Sequence, residues 1–323
     1  MRMLGSRISF RRRTPHLCAC LALALFSAAS LCAQKTGLAF WEPPASADAL
    51  LAHPPKHDPD RYAALRQAFI GFHCTADLMQ EQPVGTHGDK NLICTLPGQT
   101  PVSILVVARY DGHAGPGFQS TWVDAAVLPL LDHALQAQPR RHTIIFAALI
   151  GDNGETSFFT ALRNSGKPLP SAMIILDGLG WGSPLWYTVP SVKATPTHPA
   201  ELGVNGFLGG IASAICRFMK VPEPAPLSPA HYLTNAGFSA AEYYRLQRYE
   251  SSLFRSAGAT PELLIFSDQP EQATQQAVVD IGLPDIRKDF DYAAYVVCLA
   301  DLKLDPPPVP AVTPTAATDS APH

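Results

Sequence analysis

The chain alternates between continuous apolar runs and longer segments whose apolar residues recur at helical spacing. Short apolar runs bounded by turn residues are typical of strands buried on both faces of a parallel sheet. Five such strands are predicted: NLICTLPG at 91–98, SILVVARY at 103–110, HTIIFAALIG at 142–151, SAMIILDGLG at 171–180 and PELLIFSD at 261–268. Helices are predicted around them at 60–71, 124–138, 156–166 and 285–302. This alternation predicts an α/β protein, a three-layer αβα sandwich around a mostly parallel sheet.

Both ends of the chain are predicted to lie outside this fold. Residues 1–33 combine five arginines with an apolar run that is short for a membrane span and ends in small residues, as in a secretory signal peptide. We therefore expect export to the periplasm, the cell envelope or the extracellular space, with an uncleaved anchor as the alternative. Residues 305–323 are rich in Pro, Thr and Ala and predict a disordered tail. A single domain would then occupy residues 34–304.

Loss of the first 33 residues would make the protein more acidic. The whole chain has 24 Lys and Arg against 27 Asp and Glu; without the five arginines of this segment, 19 face 27, a formal charge of −8. A net acidic protein argues against nucleic acid and against anionic membrane surfaces as partners. The sequence does not indicate an oligomeric state.

Four cysteines remain beyond residue 33. Cys216 and Cys298 lie in apolar helical patterns, which favours buried free thiols. Cys74 and Cys94 flank a predicted strand and loop. A disulfide between them is compatible with export, but spacing does not fix the geometry of a bridge, so unpaired thiols are the prediction and the disulfide is the alternative.

The order of the segments resembles that of a known enzyme family. The blocks NLICTLPG, ILVVARYD, STWVDAAVLPLLDHAL, GDNGETSFFTAL and MIILDGLG follow one another as in the M28, aminopeptidase Y-like, zinc peptidases, whose fold glutaminyl-cyclase-like enzymes share. The resemblance covers residues 60–302 and implies a zinc-exopeptidase-like fold. It also implies two zinc ions at the carboxyl ends of the strands, held by His and carboxylates, with a Glu as general base.

Several positions that match the family's zinc site carry other residues. In the family's His-x-Asp block this chain has Arg109 and Asp111, so the residue that orients the ligand remains and the ligand itself is an arginine. The bridging aspartate matches Ser120. The Glu-Glu pair matches Gly154 and Glu155, which removes the general base and keeps one potential ligand.

The remaining ligand positions are one aspartate and one histidine. Asp177 keeps the aspartate, and the histidine matches Ser251. Because Arg109 brings a fixed positive charge, we hypothesise that it replaces zinc as the counter-charge of Glu155, Asp177 or both in a vestigial pocket. No catalytic residue, metal or other cofactor is then expected. A rebuilt zinc site would use His113 with Glu155 and Asp177.

Other features of the sequence leave the chemistry open. The Gly-rich segment GLGWGS is interpreted as a mobile loop lining a pocket. Trp181 within it, and Trp186 and Tyr187 after it, either line a concave site or pack ordinarily. No GxSxG motif occurs, which argues against a serine hydrolase.

Three functions are compatible with these residues. The leading hypothesis is a non-catalytic pseudo-peptidase that keeps a binding cleft for peptides or small amino compounds. The first alternative is an active zinc-dependent aminopeptidase, or a glutaminyl-cyclase-like enzyme, with non-standard ligands. The second alternative is a structural envelope protein. Because fold alone says little about activity, the site has to decide between them.

Overall fold

The computed structural model describes seven stretches of the chain. They are residues 45–72, 74–111, 118–180, 182–188, 206–224, 260–267 and 283–304, all within the unit Trp41–His323. The predicted signal peptide at 1–33 and tail at 305–323 lie outside these stretches, as do His113 and Ser251. Along the described ranges, no helix is long and apolar enough to cross a bilayer.

Helices and strands alternate along the described chain. The helices are α1 (Ala45–Ala52), α2 (Asp58–Gly71), α3 (Phe118–Gln136), α4 (Gly151–Asn164), α5 (Gly206–Met219) and α6 (Leu283–Lys303). The strands are β1 (Met79–Val84), β2 (Asp89–Leu96), β3 (Thr100–Arg109), β4 (His142–Leu149), β5 (Ala172–Leu176), β6 (Pro184–Thr188) and β7 (Glu262–Ser267). Each of the five predicted strands and four predicted helices is present.

The strands form one sheet in the order β1-β2-β4-β3-β5-β7-β6. Its centre is parallel, since β3 pairs parallel with β4 and β5, and β5 pairs parallel with β7. Two strands run against the others: β2, which pairs antiparallel with β1 and β4, and β6, which pairs antiparallel with β7. The predicted class, an α/β fold with a mostly parallel sheet flanked by helices, is confirmed.

Alternate residues of the central strands face different helices. On one face, Leu105 and Val107 of β3 lie in an apolar cluster with Phe158 and Phe159 of α4. Residues in between face the other side of the sheet, where α3 and α6 pack against β3. Because both faces are covered, the central strands are almost entirely apolar, and this gave them their clear sequence signal.

Of the elements outside those predictions, α5 contains the apolar helical pattern noted around Cys216, whereas α1 and the two edge strands were not predicted. The sequence of β1, MQEQPV, is polar, and only its last residue is buried. In β6, Trp186 and Tyr187 are buried, and the Tyr187 ring stacks on Phe266 with a centroid distance of 5.7 Å. These two side chains therefore pack in the core, the second of the two alternatives left open by the sequence.

The prediction for Cys74 and Cys94 was wrong. The two residues form a disulfide, with Cα atoms 6.2 Å apart, which joins the segment after α2 to the middle of β2. Spacing along the chain could not show this, because the two cysteines meet only once β2 has paired with its neighbours. Cys216 is a buried free thiol as predicted, and Cys298 is a partly buried one.

Candidate functional site

The carboxyl ends of β3, β4 and β5 bring the predicted site residues to one edge of the sheet. Arg109 ends β3 and pairs in register with Leu149 at the end of β4, two residues before α4 begins. On the other side of β3, Ala108 pairs with Leu176, so Asp177 follows at the level of Arg109. Ligands of open α/β proteins bind at such strand ends, outside the carboxyl edge of the sheet.

Arg109 is the centre of a charged group that we call the strand-end cluster: Arg109, Asp111, Asp152 and Glu155. Its guanidinium donates a forked pair of hydrogen bonds to Asp111, from Nε to Oδ1 at 2.8 Å and from Nη2 to Oδ2 at 2.6 Å. Nη1 donates to Oδ1 of Asp152 at 2.9 Å, and Nε lies 3.7 Å from Oε1 of Glu155. Glu155, one of the two carboxylates expected to pair with Arg109, is an ion-pair partner. The forked hydrogen bonds go to a third carboxylate, Asp111.

Arg109 is a permanent cation at this position. Burial lowers the pKa of its guanidinium, but the hydrogen bonds and charge of Asp111, with the charges of Glu155 and Asp152, outweigh burial and raise the pKa above its usual value. The cluster therefore holds one positive charge against three carboxylates. Asp152 is its accessible member, with 71% of its side chain exposed against 15% for Arg109.

A second arginine, Arg61 of α2, holds the backbone beneath the cluster. This side chain is fully buried and donates hydrogen bonds to the carbonyl of Tyr110 at 3.0 Å and to Oγ1 of Thr121 at 3.2 Å. It thereby joins α2 to the end of β3 and the first turns of α3. Burial lowers the pKa of Arg61, and the charge of Asp111 opposes that change. Sequence reasoning missed this residue because an isolated arginine in an amphipathic helix is ordinarily on the surface.

At the position that matches the family's general base, Gly154 has no room for a side chain. A Cβ built on Gly154 would lie 2.5 Å from Oδ1 of Asn91, closer than real Cβ atoms approach other atoms. Asn91 is fixed there: its Nδ2 donates to the carbonyl of Gly154 and to Oε1 of Gln82, both at 2.8 Å, and its Oδ1 accepts from the N–H of Ile150 at 3.0 Å. Asn91, another residue without a functional signal in the sequence, therefore fills the space beside Gly154.

Two aspartates hold the loop that follows Asp177, and we call Asp124 and Asp289 the loop aspartates. Asp124 accepts the backbone N–H groups of Gly178 and Leu179, both at 2.8 Å. Asp289 accepts the N–H of Gly180 at 2.7 Å and the hydroxyl of Ser267. Burial raises the pKa of both, that of Asp289 to about 7, and the charge of Asp177 raises the pKa of Asp124 further.

The described residues at the zinc-matched positions do not fit a pair of zinc ions. Arg109 has no lone pair to offer and is already bound to carboxylates, and Gly154 has no side chain. Among the described residues, the potential ligand atoms that lie within 4.8 Å of one another belong to Cys74, Cys94 and Asp132, elsewhere in the fold, and the two cysteines are joined in a disulfide. Ser120 is in the first turn of α3 with an undescribed side chain, and His113 and Ser251 lie outside the described stretches.

Sequence comparison finds no relatives: no protein-family model matches the chain, and neither does any curated protein. Solved structures do match its fold. LapB from Legionella pneumophila matches with a TM-score of 0.56 at 11% identity, over 80% of this chain and 70% of that protein. The LapA aminopeptidase of the same organism matches with a TM-score of 0.53 at 10% identity, over 94% and 81%.

An enzyme of a different activity has the same architecture. A glutaminyl cyclase from Fimbriiglobus ruber matches with a TM-score of 0.54 at 13% identity, covering 78% of this chain and 92% of that enzyme. At such identities the likeness is one of fold. The chain therefore has the fold that aminopeptidases and glutaminyl cyclases share, a peptidase-like fold, as the resemblance implied.

Proposed function

We propose that this chain is an exported, non-catalytic pseudo-peptidase that binds peptides or small amino compounds at the carboxyl ends of β3, β4 and β5. The observation that carries the proposal is the strand-end cluster. A guanidinium bound to Asp111, Asp152 and Glu155 stands where the family resemblance places a metal-ligand histidine. It supplies the positive charge that the carboxylates need, and it cannot polarise a carbonyl or activate water as a metal does.

The space beside Gly154 supports the loss of hydrolysis. Family-type hydrolysis requires a carboxylate base next to the reacting water. Any side chain at position 154 would collide with Asn91, which three hydrogen bonds hold in place. A side chain at position 154 would therefore have to displace Asn91 from these hydrogen bonds.

The charge of the cluster favours an amino group as ligand. Three carboxylates outnumber one guanidinium, and Asp152 presents most of its side chain to solvent. An ammonium group would donate charge-assisted hydrogen bonds to these oxygens. An acylated amine is neutral, so its hydrogen bonds would lack this assistance. The predicted ligand class is therefore a peptide or small compound with a free amino group.

Paired ligands test this proposal. We expect a free-amino dipeptide amide to raise the melting temperature by several degrees at about 100 times its Kd, because ligand binding to the folded state adds about 2.7 kcal/mol there. Its N-acetylated form should have no effect. Asp152→Asn should weaken binding, whereas Asp285→Asn, which removes an equal charge on α6, should not.

Two results would overturn the proposal. Zinc-dependent hydrolysis of aminoacyl anilides, lost on substitution of Glu155 or Asp177, would restore the enzyme alternative. Equal and negligible stabilisation by both dipeptides, across a panel of side chains, would favour the structural alternative.

A further inference from the structure

A second group of potential metal ligands lies apart from the strand-end cluster. Cys74 follows α2, Cys94 lies in the middle of β2, and Asp132 lies in α3. All three are buried, and their two sulfurs and one carboxylate oxygen lie within 4.8 Å of one another. Three elements that are far apart in sequence thus bring two soft donors and one hard donor to a single point.

Asp132 is the member of this group whose hydrogen bonding is incomplete. It is fully buried, with Oδ2 at 3.7 Å from Sγ of Cys94 and at 3.3 Å from Nε2 of Gln136. Its Oδ1 is buried and has no hydrogen-bond partner among the described residues. The nearby Arg140 uses its guanidinium to donate to backbone carbonyl groups instead. An unsatisfied carboxyl oxygen in the interior is unfavourable, so a bound partner would stabilise it.

The disulfide does not supply such a partner, because neither of its sulfurs carries a hydrogen. A cation bound between two thiolates and this carboxylate would satisfy Asp132 directly. Tetrahedral zinc has bonds of about 2.3 Å to sulfur and about 2.0–2.2 Å to oxygen, which place the ligand atoms about 3.5–3.8 Å apart. The carboxylate oxygen is already at that distance from Cys94, and reduction frees the two sulfurs to separate.

We propose that reduction of the Cys74–Cys94 disulfide opens a zinc site formed by Cys74, Cys94 and Asp132, so that the disulfide and the metal exclude each other. The reductant is a dithiol. It transfers two electrons and two protons to the disulfide, which becomes two thiols while the dithiol becomes a cyclic disulfide. Zinc then displaces both thiol protons to the solvent, together with the proton of Asp132 when that group is protonated.

The donor set selects the class of metal. Two thiolates and one carboxylate carry three negative charges, and a dication leaves a single negative charge in the buried site. Thiolates favour zinc and other thiophilic ions over magnesium and calcium, which prefer oxygen. Three protein ligands leave the fourth tetrahedral position for water.

Metal titration of the full chain tests the proposal. Cys18, Cys20 and Cys32 are first replaced by serine, so that cysteines near the N-terminus do not bind zinc. The protein is reduced with a dithiol, freed of it without oxygen, and titrated with Zn²⁺ and then Co²⁺. We expect one zinc per reduced chain, none per oxidised chain, and a thiolate-to-cobalt charge-transfer band with the visible spectrum of tetrahedral cobalt.

Substitutions assign the ligands. Asp132→Asn should lower zinc affinity at least about tenfold, since even indirect partners of a metal contribute that much, and Cys94→Ser should abolish the cobalt band. Cys298→Ser, which removes a free thiol from α6, should leave both unchanged. The proposal is overturned if the reduced chain binds no zinc, if it unfolds and zinc does not restore its circular dichroism, or if binding survives in Cys74→Ser and Cys94→Ser.

Discussion

Two groups of carboxylates lie past the carboxyl ends of neighbouring strands, and they are stabilised in different ways. In the strand-end cluster, Asp111 and Glu155 face the guanidinium of Arg109. The loop aspartates, Asp124 and Asp289, instead accept backbone N–H groups of residues 178–180. No ion pair reaches these two aspartates within the described part of the chain, and burial raises the pKa of each.

The difference shows two ways of stabilising a buried carboxylate. A carboxylate removed from water needs a cation, several N–H donors or a proton. The strand-end cluster uses a permanent cation, which offsets the charge of Asp111 and Glu155. The loop aspartates use N–H donors and hold the loop after Asp177. Under the proposed function, only the first arrangement offers charge to a ligand.

The largest expected effect comes from removing the cation. Arg109→Ala leaves Asp111 and Glu155 without their counter-charge, and breaking one partner of a buried pair costs about 3–5 kcal/mol. Thermal unfolding should show a melting temperature lower by several degrees. Arg109→Lys keeps the charge without the fork and should lose less. Arg217→Ala, which breaks an exposed pair with Glu223, should change stability by at most about 1 kcal/mol. An unchanged transition for Arg109→Ala would refute the counter-charge role.

A smaller effect should come from adding a side chain at Gly154, beside the strand-end cluster. Gly154→Ala forces a Cβ against Asn91 and should destabilise the protein by about 1–3 kcal/mol. Gly210→Ala is the matched control, because that helical glycine has no atom within 4 Å of an added Cβ and should stabilise by about 0.5–1 kcal/mol. In denaturant unfolding, the double variant Asn91→Ala with Gly154→Ala should be less destabilised than the sum of its parts. Additive losses would show that Asn91 does not fill the site of the base.

The third prediction concerns the dependence of stability on pH. The pKa of Asp289 is raised from 3.8 to about 7 by burial and by the charge of Asp285, against the hydrogen bonds of Ser267 and Gly180 and the charge of Lys288. The folded protein therefore holds a proton that the unfolded chain has lost, so the free energy of unfolding should fall as the pH rises from about 4 to 7.

Two variants separate the groups that make the free energy of unfolding fall with pH. In urea unfolding measured from about pH 4 to 7, Asp289→Asn should remove part of this fall. Asp132→Asn should flatten another part, since burial also raises the pKa of Asp132 to about 7. A slope that is unchanged in Asp289→Asn would show that this group is not protonated in the folded state.

The sequence predicted the parts of the fold that burial dictates. The central strands β3, β4, β5 and β7 are buried on both faces, and their uninterrupted apolar runs marked them clearly. The edge strands β1 and β6 have neighbours on one side only, and their sequences carry no such pattern. The Cys74–Cys94 disulfide was missed because it depends on strand pairing rather than on spacing.

For the site, the sequence identified the residues but not their partners. Arg109, Asp111 and Glu155 were named from the family resemblance, and the structure places them together. Asp152, Arg61 and Asn91 were not named. These residues lie on α4, α2 and β2, and they reach the site because the three elements come together near the end of β3. No local sequence pattern encodes that arrangement.

The measurement that tests the replacement of zinc by Arg109 most directly is the metal content of the oxidised full chain, expressed with excess zinc and with Cys18, Cys20 and Cys32 replaced by serine. With the Cys74–Cys94 disulfide intact, we predict no zinc above background and no rise in melting temperature on adding Zn²⁺. Two zinc ions per chain, lost on substitution of Glu155 or Asp177, would contradict this and show that the strand ends still form a metal centre.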